Sequence, residues 1–370
     1  MTLFIDNEII AKVLTMEGTI TALEKAYADL VRGEAVCRPR IDIQIPTSDP
    51  KKAYQWGSME GGAVGGYFAI RMKSDVIYET EYNGVRSQEK YCTRPGLYCG
   101  LIFLIDVETG TPLAFINDGV LQHMRVGADG GIGVKYMSRK NSEVVGMIGS
   151  GGMARTHLEA FMCVRNIKKV QVFSPTQAHR ERFAEEIRNK HELEVVAYDE
   201  PEKVYKNADI IAGCTDSAVP VILANCLEPG QHVINVGGGG GMPNQEVQNR
   251  IDAYLRFGNA PSPQGLPELN LADEYLTYAA RPNHSYGFKQ KKKGARAHGV
   301  AMPDKVLYFA DILNGTNRGR LNDNQITYSE RGNLQGMQFH AVAGLAYENA
   351  QKAGLGNEVP TEWFLQNIKN

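Results

Sequence analysis

No stretch of this sequence stays apolar for the roughly 18 residues that a bilayer-spanning helix needs, so no helical membrane anchor is expected within it. Charge of one sign is not in excess either. Lysine and arginine number 40 against 42 acids, for a net charge of -2, which supplies no general attraction to nucleic acid or to anionic membranes. The six cysteines (Cys37, Cys92, Cys99, Cys163, Cys214 and Cys226) form no CxxC pair, and the eight histidines contain neither HxH nor HxxxH, which argues against a metal centre. The opening "MTLFIDNEII" lacks the basic and apolar blocks of a signal peptide. A soluble protein of the reducing cytoplasm is the expectation.

The sequence has 43% apolar residues over 370 positions, enough to bury two moderate cores, and length slightly favours two domains. The first forty residues carry "EGTITALEKAYADLVRGEA", in which Ile20, Leu23, Ala26, Tyr27 and Leu30 share one helical face and Gly33 ends the helix. Alternating segments follow, "RIDIQIP", "AYQWGSMEGG", "GGYFAIRMKSDV" and "YCGLIFLIDVETGTPLAFI". They read as antiparallel strands with "ETG" as a turn. After Asp118 comes "LQHMRVGADGGIGVKYMSR", a glycine-laden helix whose small residues permit close backbone packing.

From there short Val- and Ile-rich runs alternate with helical stretches: "EVVGMIG", "KKVQVFS", "LEVVAYD", "ADIIAGCT", "QHVINVGG" and "AYLRFGN". That alternation predicts a parallel, doubly wound sheet, hence an α/β fold. It stops near Asn314, and "QFHAVAGLAYENAQKAGLG" reads as a last amphipathic helix that packs back on the first domain. The basic stretch "KQKKKGARAHG", residues 289 to 299, reads as a solvated loop.

"VVGMIGSGGMARTHLEAF" places Gly149, Gly151 and Ala154 in a GxGxxA pattern, with Gly152 and Met153 inside it, after a strand and at the mouth of a helix. The first glycine allows the tight turn, the second lets a pyrophosphate approach the backbone, and the helix amides favour its charge. A dinucleotide is the expected ligand. About 25 residues beyond Gly149, where an NAD site usually carries an acid for the ribose hydroxyls, this chain has "VFSPTQAHRER". Ser174 and Thr176 can donate to a phosphate, and Arg180 or Arg182 can pair with one, which tilts the expectation from NAD to NADP. Read plainly, the same residues are a helix cap and its solvated face.

Arg40 in "CRPRIDI", Lys73 in "FAIRMKSDV" and Arg125 in "LQHMRVGADGG" stand in apolar or strand-like surroundings. Burying a cation without an anion is costly, so convergence of the three implies a bound acid. Taken singly, each also fits a surface or salt-bridged residue.

The chain resembles the ornithine cyclodeaminase and mu-crystallin family. The resemblance rests on "RGEAVCRPRI", "VETGTPLAFINDGVLQHMRVGADGGIGVKYMSR", "VGMIGSGGMARTHLEAF", "ADIIAGCTDS", "VINVGG", and "ADILNG" followed by "GR" and "QITY". It implies a Rossmann NAD(P)-binding domain from the middle of the chain, residues 121–316. It also implies an α+β substrate-binding and dimerisation domain built from both ends, residues 1–120 and 317–370, and so a homodimer. The substrates it implies are small amino acids, imino acids or ketimines bearing a carboxylate, held by Arg40, Lys73 and Arg125. Of these, Lys73 and Arg125 carry the catalytic roles; if burial among cations lowers its pKa, Lys73 also serves as a proton donor or water activator. Cys214, Thr215, Val236, Gly237 and Gly238 line the cofactor.

In cyclodeaminating members of that family an aspartate follows "VINVGG", whereas this chain has Gly239. A glycine moves no proton, so the resemblance favours an NAD(P)H-dependent imine or ketimine reductase, or equivalently an amino acid dehydrogenase. The alternatives are redox-neutral ornithine cyclodeamination and a mu-crystallin-like protein that binds a small ligand and NADPH. Further departures are Arg331 and Asn333 in place of a serine and a glycine near the nicotinamide, and Gln338 in place of an aspartate. Glu60, in a lengthened segment, and His123, two residues before Arg125, are open between substrate contact and plain structural roles.

Overall fold

The computed structural model describes the chain apart from residues 83–84, 218, 238–242, 268–274, 282–294, 297–301, 331–333 and 369–370. In order, the elements begin with β1 (Thr2–Ile5), α1 (Asn7–Val13), α2 (Met16–Val31), β2 (Ala35–Cys37), β3 (Ile41–Pro46), β4 (Lys52–Ala63), β5 (Tyr67–Tyr82), β6 (Val85–Tyr91), β7 (Cys99–Asp106) and β8 (Pro112–Asn117). The middle of the chain supplies α3 (Gly119–Met137), β9 (Val144–Ile148), α4 (Gly152–Val164), β10 (Lys169–Phe173), α5 (Gln177–His191), β11 (Glu194–Tyr198), β12 (Ile210–Gly213), β13 (His232–Asn235), α6 (Gln245–Arg250) and β14 (Ala253–Arg256). The remainder forms β15 (Tyr275–Ala279), β16 (Ala295–Arg296), β17 (Val306–Tyr308), α7 (Phe309–Leu313), β18 (Thr327–Ser329), α8 (Gln335–Ala353) and β19 (Asn357–Val359).

Two compact units result. The first comprises Met1–Gln122, Asn259–Gly299 and Asn333–Asn370, the second His123–Gly258 and Val300–Gly332. These limits depart from the expected 1–120, 121–316 and 317–370 in two places, for reasons of strand pairing. β15 pairs in parallel with β3, which ties its segment to the first unit. β18 inserts between β13 and β14, which keeps residues 317–332 with the second.

The first unit is one sheet, ordered β16-β15-β3-β4-β5-β7-β8-β1-β19 among the described residues, with β2 on β4 and β6 on β5. The long β3-β4-β5-β7-β8 run is antiparallel, as the alternating segments predict. Helices α2 and α8 pack on each other and on β4. The apolar face of α2 is buried at Ile20, Leu23, Ala26 and Tyr27. The expected "ETG" turn forms where Asp106 Oδ1 accepts from the amides of Glu108 and Thr109.

The second unit is an eight-stranded sheet among the described residues, ordered β11-β10-β9-β12-β13-β18-β14-β17, with every pairing parallel. One apolar layer is built from Leu158, Phe161, Phe183 and Ile187 of α4 and α5 with Val145 and Met147 of β9. A second contains Val204, Tyr205, Val247, Tyr254 and Tyr328. Burial on both faces accounts for the continuous Val/Ile runs of these strands. β9 is flanked by β10 and β12, so strand order reverses there, the place where open α/β sheets take their ligands at the carboxyl edge.

Candidate functional site

At the end of β9, Gly149 donates from its amide to Phe173 O at 2.8 Å, and Cys214 N donates to Ile148 O at 2.7 Å, so the glycine turn is held between the ends of β10 and β12. Gly149 has φ +112°, and a Cβ there would lie 2.1 Å from Cys214 O, so no other residue fits. Gly151 caps α4 without a side chain, and nothing lies within 4 Å of where its Cβ would be. The glycine cap gives the first-turn amides of α4 no side-chain acceptor, the arrangement that accepts a pyrophosphate. Met153 is half-buried against the apolar layer and Ala154 is fully buried within it.

Two strands over, Val236 N donates to Gly213 O at 2.8 Å, and a Cβ at Gly237 would fall 1.6 Å from Thr215 O. The carboxyl ends of β12 and β13 are thus pressed backbone to backbone through Thr215 and Gly237. Cys214 is buried in the apolar layer, and burial pushes its thiol up, which makes it packing rather than a nucleophile. Gly238 and Gly239 lie outside the described residues.

At the end of β10, Ser174 is buried and Thr176 occupies the cap position of α5 without a side-chain hydrogen bond. Arg180 folds back and donates from Nη1 to Ser174 O at 3.1 Å, placing a guanidinium on the loop where the ribose acid of an NAD site usually sits. Arg182 is exposed on α5.

One residue of this edge was not anticipated from sequence. Arg155 donates to Ser150 O at 2.7 Å and Gly151 O at 3.1 Å, and it also forms a forked pair with Glu186 of α5, Nε–Oε1 2.8 Å and Nη2–Oε2 2.6 Å. It clasps the glycine turn to the next helix. Nothing in "MARTH" marks it, because its partner lies 31 positions away.

The helix carrying Arg125 is fixed against α4 by close approach. A Cβ at Gly127 would meet Thr156 O at 2.6 Å, and one at Gly130 would meet His157 Cδ2 at 2.7 Å. Arg125 itself is only 4% exposed. His123 stands with Nε2 3.0 Å from the Cβ position of Gly152, which places it at the glycine turn.

In the first unit, Arg40 and Lys73 come together on the floor made by β3, β4 and β5. Each has an acid beside it, in keeping with the salt-bridged alternative for these cations. Arg40 Nε donates to Asp42 Oδ1 at 2.8 Å, and Lys73 Nζ donates to Asp75 Oδ2 at 2.8 Å. Asp42, Lys73 and Asp75 are each under a tenth exposed, and charges that deep are held only with partners. Burial, reinforced by the nearby Arg40 charge, pushes the Lys73 ammonium down to about 7 against the opposing pull of Asp75.

The other residues singled out from sequence have definite places. Glu60 pairs with Arg38 at 2.6 Å. Gln338 is fully buried on α8 and donates to Tyr27 Oη at 2.8 Å, an interior contact between helices. Arg331 and Asn333 lie outside the described residues, as does most of the basic stretch 289–299. Among the described residues no helix is long and apolar enough to cross a membrane, and no group of three or more His, Cys, Asp or Glu side chains is placed to hold a metal ion.

Known proteins resemble this chain over most of its length. The chain is 24% identical to the alanine dehydrogenase of Archaeoglobus fulgidus over 363 residues, covering 97% of this chain and 98% of the relative. It is 33% identical to a Bacillus cereus Δ(1)-pyrroline-2-carboxylate reductase over 261 residues, 70% of this chain and 74% of the relative. In fold it matches the Thermococcus litoralis Δ(1)-pyrroline-2-carboxylate reductase, solved with NADH and L-proline, at a TM-score of 0.72 and 24% identity, covering 97% of this chain and 100% of that one. The model of the ornithine cyclodeaminase/mu-crystallin family matches residues 82–354, and the chain belongs to that family.

Proposed function

We propose that the protein is an NAD(P)-dependent oxidoreductase acting on the carbon–nitrogen bond at Cα of a small α-imino or α-amino acid. The observation that carries this reading is the glycine turn at the carboxyl edge of the parallel sheet, where Gly149 follows β9 with a positive φ and Gly151 caps α4, the pattern of a dinucleotide site at a reversal of strand order. The named relatives, an alanine dehydrogenase and a pyrroline-2-carboxylate reductase, both work at such a bond. When bound, the nicotinamide supplies or accepts the hydride.

The chain's own residues do the rest. The α4 amides and Arg155-braced turn bind the pyrophosphate. Arg40 and Lys73 hold the substrate carboxylate, which fixes Cα in place and makes the reaction effectively unimolecular. Lys73 Nζ, with its proton affinity brought near neutrality, moves a proton at the substrate nitrogen. Ser174, Thr176 and Arg180 read the ribose as a 2′-phosphate, so NADP is the preferred form. The assembled form is a homodimer, as in the archaeal alanine dehydrogenase dimer with bound NAD.

The reading is tested by following reduced nicotinamide consumption with Δ(1)-pyrroline-2-carboxylate and with pyruvate plus ammonia, using NADPH and NADH in parallel. Turnover of either substrate, faster with NADPH, is the expected result. Proline formed from ornithine with catalytic NAD+ and no net NADH points instead to redox-neutral deamination. Tight NADPH binding without turnover points to a binding protein.

A further inference from the structure

Lys73 does not stand alone on its sheet. Strand register sets Asp42, Gly57, Lys73 and Gly100 in one row across β3, β4, β5 and β7. A Cβ at Gly57 would fall 2.6 Å from Asp42 Oδ1 and 2.8 Å from Lys73 Cε, so the carboxylate and the lysine stem lean towards each other over the glycine. On the far side, a Cβ at Gly100 would meet Asp118 Oδ1 at 2.0 Å, and that acid is taken by Arg71. Asp75 is two positions along β5, hence on the same face as Lys73, and receives its ammonium at 2.8 Å. The charged groups around Lys73 are therefore Arg40 and Asp42 from the β3 side, Asp75 and Arg71 from β5 itself, Asp118 over Gly100 of β7 and paired with Arg71, and Lys90 from β6.

Formal charges in the inner quartet cancel while Lys73 carries its proton: Arg40 and Lys73 against Asp42 and Asp75. Once Lys73 releases that proton, the quartet is left net negative, which favours the proton's return. Arg40 is permanently charged, so Lys73 is the cation of the set whose charge changes near neutral pH.

Resting on the function proposed above, we propose that Asp75 is a positioning residue that holds the Lys73 ammonium at a fixed place in the floor of the site for delivery of its proton to the substrate nitrogen. As the C=N bond accepts a hydride at carbon, its π pair moves to nitrogen. Lys73 Nζ gives that nitrogen its proton, and the resulting amine takes a replacement from water. Asp75 itself keeps its charge throughout. Its spacing from Lys73 shows in the sequence as "KSD", but the shared face and the 2.8 Å contact come only with the fold.

The test compares wild type, Asp75→Asn and Asp75→Glu. Lysine labelled at its side-chain nitrogen is followed by NMR through a pH titration, with the Lys73 signal assigned by its loss in Lys73→Met, and the pH profile of kcat for reduction of Δ(1)-pyrroline-2-carboxylate is recorded alongside. Removing the Asp75 charge takes away a pull that favours the ammonium, so in Asp75→Asn the titration midpoint and the alkaline limb of kcat both move to lower pH, by about one pH unit. KM changes by less than about threefold, and Asp75→Glu restores the profile in part. Turnover with an unmoved profile and midpoint in Asp75→Asn overturns the proposal alone. Absence of turnover in the wild type overturns the function on which it rests. Should Asp75→Asn fail to fold, Asp75→Glu carries the test, because lengthening the acid shifts the limb if Asp75 positions Lys73 and leaves it unmoved if the proposal is wrong.

Discussion

Arg256 and Glu330 face each other at 3.1 Å in the interior of the parallel sheet, their side chains 1% and 3% exposed. Glu330 also accepts from Tyr254 Oη at 2.7 Å and from Phe257 N at 3.2 Å, so a single carboxylate ties β14 to the segment that follows β18. Replacing Glu330 by Gln removes the buried carboxylate charge shared by Arg256, Tyr254 and the Phe257 amide, a change that costs about 3–5 kcal/mol in comparable sites. The expected outcome is a loss of that order in unfolding free energy, read from denaturant titration. A loss under about 1 kcal/mol contradicts the assignment of this pair as a buried tie.

The dinucleotide turn gives the second expectation. Gly149→Ala sets a methyl against Cys214 O and forces a positive φ on a residue that rarely adopts it. NADPH affinity, measured by quenching of protein fluorescence, falls at least about tenfold while the far-ultraviolet spectrum is kept. Undiminished affinity means that the cofactor does not use this turn.

Cofactor preference is open to reversal by one substitution. Ser174→Asp restores an acid at the end of β10, where it accepts from ribose hydroxyls and repels a 2′-phosphate. The ratio of kcat/KM for NADPH to that for NADH drops by about tenfold or more. A wild-type ratio that already favours NADH removes the basis of the NADP assignment.

Acid sensitivity is expected from α8. His340 is buried, its Nε2 has no hydrogen-bond partner among the described residues, and burial pushes its pKa down to about 4 against the opposing influence of Asp29. The folded state therefore resists protonation that the unfolded chain accepts. Stability is full above the ordinary histidine value and is lost as pH falls from there towards about 4. Thermal unfolding across that window is steeper in wild type than in His340→Gln, and parallel profiles contradict the assignment.

Much of the second unit was legible in the sequence. Six Val/Ile-rich runs became β9 to β14 because a strand buried on both faces must be apolar throughout, and the glycines of α3 marked a helix that another backbone approaches closely. β18 escaped because Thr327, Tyr328 and Ser329 carry no apolar run. In the fold, Thr327 and Ser329 bond the two nitrogens of buried His232, a pairing between strands 95 and 97 positions apart. The same limit hid the acids beside Arg40 and Lys73. Arg40 and Lys73 were visible as unusual cations, but only strand register puts Asp42 across Gly57 from Lys73.

The most direct measurement uses NADPH carrying deuterium at C4 of the ring, on the face that transfers, with Δ(1)-pyrroline-2-carboxylate as acceptor. The account requires the isolated proline to gain one deuterium at Cα, with transfer lost in Lys73→Met and Arg125→Ala. Proline without label, or label retained in both variants, contradicts hydride transfer that depends on these side chains.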